Sequence, residues 1–170
     1  KNEDYDLILK KIFNFHPLSI EDCMRPIELP KVDVFDEHIF LVFHNVSSSA
    51  EPGYFKKSEV DFFLGENYLV SVHLHKSKTI DYLMEKIAGA KANGKKSKHS
   101  VKTADFLLYE VLDNFIDRYF PLLDTWDEDL ESLELEIVKN KAPNSLLNKM
   151  MSIKREVLTM RKSIIPQRDV

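Results

Sequence analysis

Two histidines, His73 and His75, stand one residue apart. On an extended strand they share a face, with Leu74 opposite, and that spacing suits a transition metal such as Co²⁺, Ni²⁺ or Zn²⁺. Two imidazoles make an incomplete site, so ordinary surface histidines are the competing reading. A second feature is acidic. Between Asp113 and Glu136 nine carboxylates stand against Arg118 alone, a block that suits cations or a basic partner helix. Cys23 is the single cysteine and has no His/Asp constellation beside it in sequence, so it reads as a buried thiol. The basic stretch from Lys91 to Lys102, with His99, reads as a solvated linker rather than a phosphate site. There is no Gly-rich phosphate loop and no recognisable catalytic set.

The elements that position these groups follow from periodicity and breakers. Asp4 to Phe15 reads as a helix with Ile8, Ile12 and Phe15 on its apolar face, widened by Leu9 and Phe13. His16-Pro17 ends it, because the residue before proline is pushed out of the α region. A short helix should start at Ser19, with Ser19 as its cap, Asp22 completing a variant capping box and Leu18 stapled to Cys23. Pro26 and Pro30 confine it to about two turns. Val32 and Val34 alternate with polar neighbours, Asp36-Glu37 turns the chain, and His38 to Val46 reads as a strand. Ser47 to Lys57 is a polar loop with Pro52-Gly53. Glu59 to Leu64 and Tyr68 to His75 form a hairpin around Gly65-Glu66-Asn67. Ile80 to Lys91 is a helix with Ile80, Leu83, Met84 and Ile87 on one face.

The last part is helical. Leu112, Ile116, Tyr119, Leu123, Trp126, Leu130, Leu133 and Ile137 recur at alternating steps of four and three, and Leu108 extends the row one turn back. Pro121 lies inside and should kink the helix without ending it. After a turn at Asn140 to Asn144, with Ser145 as cap, a second row runs through Leu146, Met150, Ile153, Val157, Met160 and Ile164. The two arms should pack antiparallel, the acidic first against the basic second. Pro166 marks a further helix start. The fold expected is α/β, a mostly antiparallel sheet flanked by helices (α/β/α) with a long antiparallel helical hairpin. Its domains are 1–98 (α/β, truncated at its N-terminus), 99–165 (hairpin) and 166–170 (the start of another helix).

Bulk properties exclude several classes. A 44% hydrophobic, 31% charged chain of 170 residues is globular, and a net charge of −4 argues against nucleic acid. One cysteine allows no internal disulfide and points to a reducing compartment. No apolar run approaches the roughly 18 residues that span a bilayer. The chain begins at Lys1 rather than methionine and is expected to be a piece of a longer protein.

Four segments, in order, carry a resemblance. His16-Pro17-Leu18-Ser19-Ile20-Glu21-Asp22 resembles the H-P-L-x-x-E-D segment of the CorA magnesium/cobalt transporter family. Pro30 to Phe43 resembles the strand pair that follows it there, with His38 where the family usually has tyrosine. Ala104 to Tyr109 with Asp113 resembles its A-D-x-L-L-Y-x-x-x-D helix. Arg161-Lys162-Ser163-Ile164-Ile165-Pro166 with Arg168 resembles the start of its stalk helix.

The resemblance implies the cytoplasmic regulatory domain of an inner-membrane protein, a homopentamer that conducts Mg²⁺ or Co²⁺ through spans further along the chain. It implies Mg²⁺ ligands at Glu21, Asp22 and Asp113, completed between neighbouring subunits by an aspartate of the adjacent subunit's stalk beyond Val170, with magnesium holding the pore closed. His73 and His75 are a secondary candidate pair. Two alternatives within reach are a zinc transporter of the same superfamily and a soluble docking module that uses the helical arms. A metal-dependent enzyme ranks last, because spread carboxylates without a nucleophile suit binding better than chemistry.

Overall fold

The computed structural model describes residues 5–25, 29–49, 55–92, 103–139 and 144–170. The expected Pro52-Gly53 loop, most of the basic linker and the turn before Asn144 lie outside the described residues. Four strands form one antiparallel sheet in the order β1-β2-β3-β4: β1 Lys31–Val34, β2 Ile39–Ser48, β3 Phe55–Leu64 and β4 Leu69–Val72. β2 and β3 are longer than expected and pair from Ile39↔Leu64 to Ser48↔Phe55. Ladder pairing thus carries the strands into sequence that reads locally as polar loop. The hairpin turn falls at Gly65, whose N–H donates to the Tyr68 carbonyl at 3.0 Å. A Cβ there would run into the far end of the Tyr68 ring, so any larger residue makes that ring move.

Alternation splits the sheet into two apolar faces. Phe40, Val42 and Phe63 pack with Leu9, Phe15 and Ile20 from the N-terminal helices. Leu41, Phe43, Val60 and Phe62 pack with Leu83, Leu108, Val111 and Phe115 on the other side. The layers are therefore helix, sheet, helix. The first helical segment, Asp6–Ile12, is π-wound, with Phe13 donating to the Ile8 carbonyl. The wider i→i+5 turn rotates the inward face. Leu9 and Phe15 are buried, whereas Ile8 and Ile12, expected inward, are exposed. Asn14, at φ 50°, reverses the chain in the left-handed region that Asn tolerates.

The remaining α-helices are α1 Pro17–Cys23, α2 Lys78–Ala92, α3 Ala104–Ile116, α4 Phe120–Val138 and α5 Asn144–Arg168. The α/β core extends beyond residue 98, because α3 packs on the sheet. The expected kink near Pro121 is a 3₁₀ turn, Asp117–Tyr119, joining α3 to α4. The inward row runs through that turn in step, with Leu108, Phe115 and Leu122 seven residues apart. The buried row is Leu108, Val111, Phe115, Tyr119, Leu122, Trp126 and Leu133, while Ile116, Leu123, Leu130 and Ile137 of the expected row stay half exposed. On α5 only Leu146, Ile153 and Met160 of the expected row are buried; Met150, Val157 and Ile164 are not. The arms meet at Lys149–Asp129, 2.7 Å, joining basic to acidic helix as expected. Pro166 starts no new helix: it lies inside α5. Val46 and Phe55 of the sheet pack with Tyr119, Trp126 and Ile153, tying the hairpin to the β2–β3 ribbon.

Candidate metal-binding surface

α1 is set by its first residues. Pro17 occupies the first turn, where its missing N–H is not needed. The cap is His16, not Ser19: the His16 Nδ1 accepts from the Leu18 N–H at 3.2 Å. Ser19 lies inside the helix and is fully buried. Its Oγ donates to the His16 carbonyl at 2.8 Å and meets His38 Nε2 at 3.1 Å. The capping box with Asp22 and the Leu18–Cys23 staple are therefore not formed, and Leu18 is exposed. His38 fixes the helix instead. Its ring stacks at 5.0 Å on Phe35, which stacks on His16, and it lies 4.8 Å from Phe15. Burial, and then the neighbouring His16, lower the His38 pKa, so the imidazole stays neutral in this packing.

With α1 pinned this way, Glu21 and Asp22 project from its last turn. Glu21 pairs with Arg25 at 2.8 Å. Asp22 accepts from Lys31 at 2.6 Å, and Lys31 donates equally to Asp33. Partial burial opposes the Lys31 charge, but the hydrogen bonds to Asp22 and Asp33 outweigh it and raise its pKa. An ammonium between two carboxylates marks a place where cations are favoured. A pair this exposed is worth at most about 1 kcal/mol, so a divalent ion can displace the ammonium.

Asp113 is exposed on α3, on the opposite side of the sheet from α1. One copy therefore cannot bring Asp113 together with Glu21 and Asp22. Among the described residues, no group of three or more His, Cys, Asp or Glu is arranged to hold a metal. His73 and His75 do not share a strand face, because β4 ends at Val72. The His73 Nδ1 lies 2.7 Å from the His75 carbonyl, so the pair folds into a local turn.

One feature is absent from the sequence reading. Asp61, on β3, is only 3% exposed and sits beside Cys23. Burial, then the charge of Glu59, push the Asp61 pKa up to about 7, partly offset by a hydrogen bond with the Cys23 thiol. Burial and the same two carboxylates push the thiol pKa strongly upward. Asp61 Oδ1 has no hydrogen-bond partner. Both residues line a cavity of about 480 Å³ with Glu59, His73 and His75. Cys23 is thus paired with an acid rather than simply buried. The signal was available: Asp61 shares its strand face with inward-pointing Phe63.

The profile of the CorA-like Mg2+ transporter protein family matches residues 2–170. The chain belongs to this family. A candidate metal ion transporter of Bacillus subtilis (strain 168), YfjQ, is 31% identical over 163 residues, covering 96% of this chain and 48% of its own length. The cobalt/magnesium transport protein CorA of Thermotoga maritima is 27% identical over 160 residues, covering 94% and 44%. The soluble domain of CorA from Methanocaldococcus jannaschii superposes with a TM-score of 0.74 at 21% identity, over 100% of this chain and 64% of that one. That likeness shows the fold. The chain spans about half the length of the curated relatives it matches. Among the described residues no helix is long and apolar enough to cross a membrane.

Proposed function

We propose that this chain is the cytoplasmic regulatory domain of a pentameric membrane transporter for Mg²⁺ or Co²⁺, and that it senses Mg²⁺ at carboxylate sites completed between subunits. Glu21 and Asp22 of one copy and Asp113 of its neighbour are the ligands. The observation that carries the reading is the separation of these carboxylates by the sheet, with all three at the surface. A cation bound by both groups must lie between copies.

The donor set fits the ion. Mg²⁺ is hard, keeps several waters and is held by one or two carboxylates rather than a full protein cage. Co²⁺ accepts the same oxygens. Filling such a site offsets repulsion between carboxylates that face each other, and emptying it lets the copies separate. Cytosolic Mg²⁺ then biases a two-state interface, closing the pore when abundant.

The test is a Mg²⁺ titration of the dilute chain, followed by backbone amide shifts. Weak, non-saturating shifts confined to α1 and the Asp113 region support the reading. Tight binding by a monomer, abolished by Asp22→Ala, contradicts it.

A further inference from the structure

The helical arms carry more apolar surface than the hairpin and sheet cover. On α5 the inward row is Leu146, Ile153 and Met160. A helix turns about 100° per residue. Leu147, Met151, Leu158 and Ile165 therefore form a second row on the side of α5 away from α4, and each is 43–61% exposed. Exposed Lys154, Arg155, Arg161 and Lys162 are interleaved with it. On α4 the inward row is Leu122, Trp126 and Leu133, continuing from Tyr119 of the 3₁₀ turn. Its outer edge carries half-exposed Phe120, Leu123 and Leu130, among exposed Asp124, Asp127, Glu131 and Glu134. α4 contains no basic residue. The one acid of α5, Glu156, faces the sheet and accepts from the Phe55 N–H. The Lys149–Asp129 pair closes the inner side of the hairpin, so it is not part of either outer row.

We propose that the basic outer row of α5 in one copy docks on the acidic outer edge of α4 in the next copy. Charge selects this occupant. An α4–α4 contact sets acid on acid, and an α5–α5 contact sets base on base. The α4–α5 contact brings opposite signs together around two apolar stripes that the described residues leave exposed. The two patches differ, so the contact is head-to-tail: it propagates around a ring instead of stopping at a two-fold pair. It uses neither Glu21, Asp22 nor Asp113 and needs no metal.

The experiment is sedimentation velocity of the chain in EDTA across a wide concentration range, which silences any cation-bridged contact. Parent protein should self-associate, less so as salt rises. Leu130→Glu, on the α4 edge, and Leu158→Glu, on the α5 row, should each be monomeric alone. Mixed in equal amounts they should form a one-to-one heterodimer and stop there, because each variant keeps the patch the other has lost. Both sites are half exposed, and a circular-dichroism melt confirms folding. Asp127→Lys and Arg161→Glu, exposed charges on the same two patches, repeat the logic without touching an apolar side chain. A parent that stays monomeric, association that survives in either variant alone, or a mixture that does not pair would overturn the proposal.

Discussion

Asp61→Asn isolates the cost of keeping a carboxyl inside the sheet layer. Folding holds the Asp61 proton to about pH 7, whereas in the unfolded chain it leaves near the ordinary value of 3.8. Between those values the folded state binds more protons than the unfolded one, so stability falls as pH rises through the window and levels off above it. A shift of this size corresponds to about 4 kcal/mol at pH 8. Asparagine keeps the shape and removes the charge, while its amide must still be buried near the Cys23 thiol, which costs about 1–2 kcal/mol. The variant is therefore expected to exceed the parent by about 2–3 kcal/mol at pH 8 and to match it or fall slightly below at pH 4. Urea denaturation at both pH values measures this. His38 works in the opposite sense: its lowered pKa makes stability fall as pH drops below the usual histidine range. Only the difference between variant and parent isolates Asp61. A variant equally destabilised at both pH values, or a parent that gains on the variant as pH rises, would refute the assignment.

Other perturbations follow from the same contacts. Ser19→Ala leaves the buried His38 Nε2 without its 3.1 Å partner and should cost about 1–3 kcal/mol in denaturant titration. Trp126→Ala empties the joint between the arms and the β2–β3 ribbon and should cost about 3–5 kcal/mol, read as a lower melting temperature. Lys31→Met should change stability by less than about 1 kcal/mol. By removing the ammonium from Asp22 it should tighten Mg²⁺ binding, measured by the shift of the Asp22 amide across a titration.

Sequence carried the layer order because short-range signals were unambiguous there. The β-branched and aromatic run in His38–Val46, the Gly65-Glu66-Asn67 turn and the breaker at Pro17 each have one physical reading. The α1 cap was misread because Ser19 is a favoured cap residue, whereas the helix starts at Pro17 and the His16 ring accepts from the Leu18 N–H instead. The inward row takes Val111, Phe115 and Leu122 in place of Leu112, Ile116 and Leu123 because all six are apolar, so the face is chosen by the sheet and α5 against which the helices pack. Fold-scale pairing, invisible locally, extended β2 and β3 and ended β4 before His73. The Asp61–Cys23 contact joins residues 38 positions apart, so neither residue reveals it alone. The carboxylates Glu21, Asp22 and Asp113 came from motif resemblance, and chain geometry adds that the sheet stands between them.

The claim that matters most is that a divalent cation bridges copies through carboxylates on opposite sides of the sheet. The direct measurement is sedimentation of the Leu130→Glu chain, in which the hairpin contact is silent, with and without saturating Mg²⁺. The account predicts Mg²⁺-dependent association that disappears in Asp22→Ala and equally in Asp113→Ala. Association indifferent to Asp113, or saturable Mg²⁺ binding with no change in mass, would contradict it.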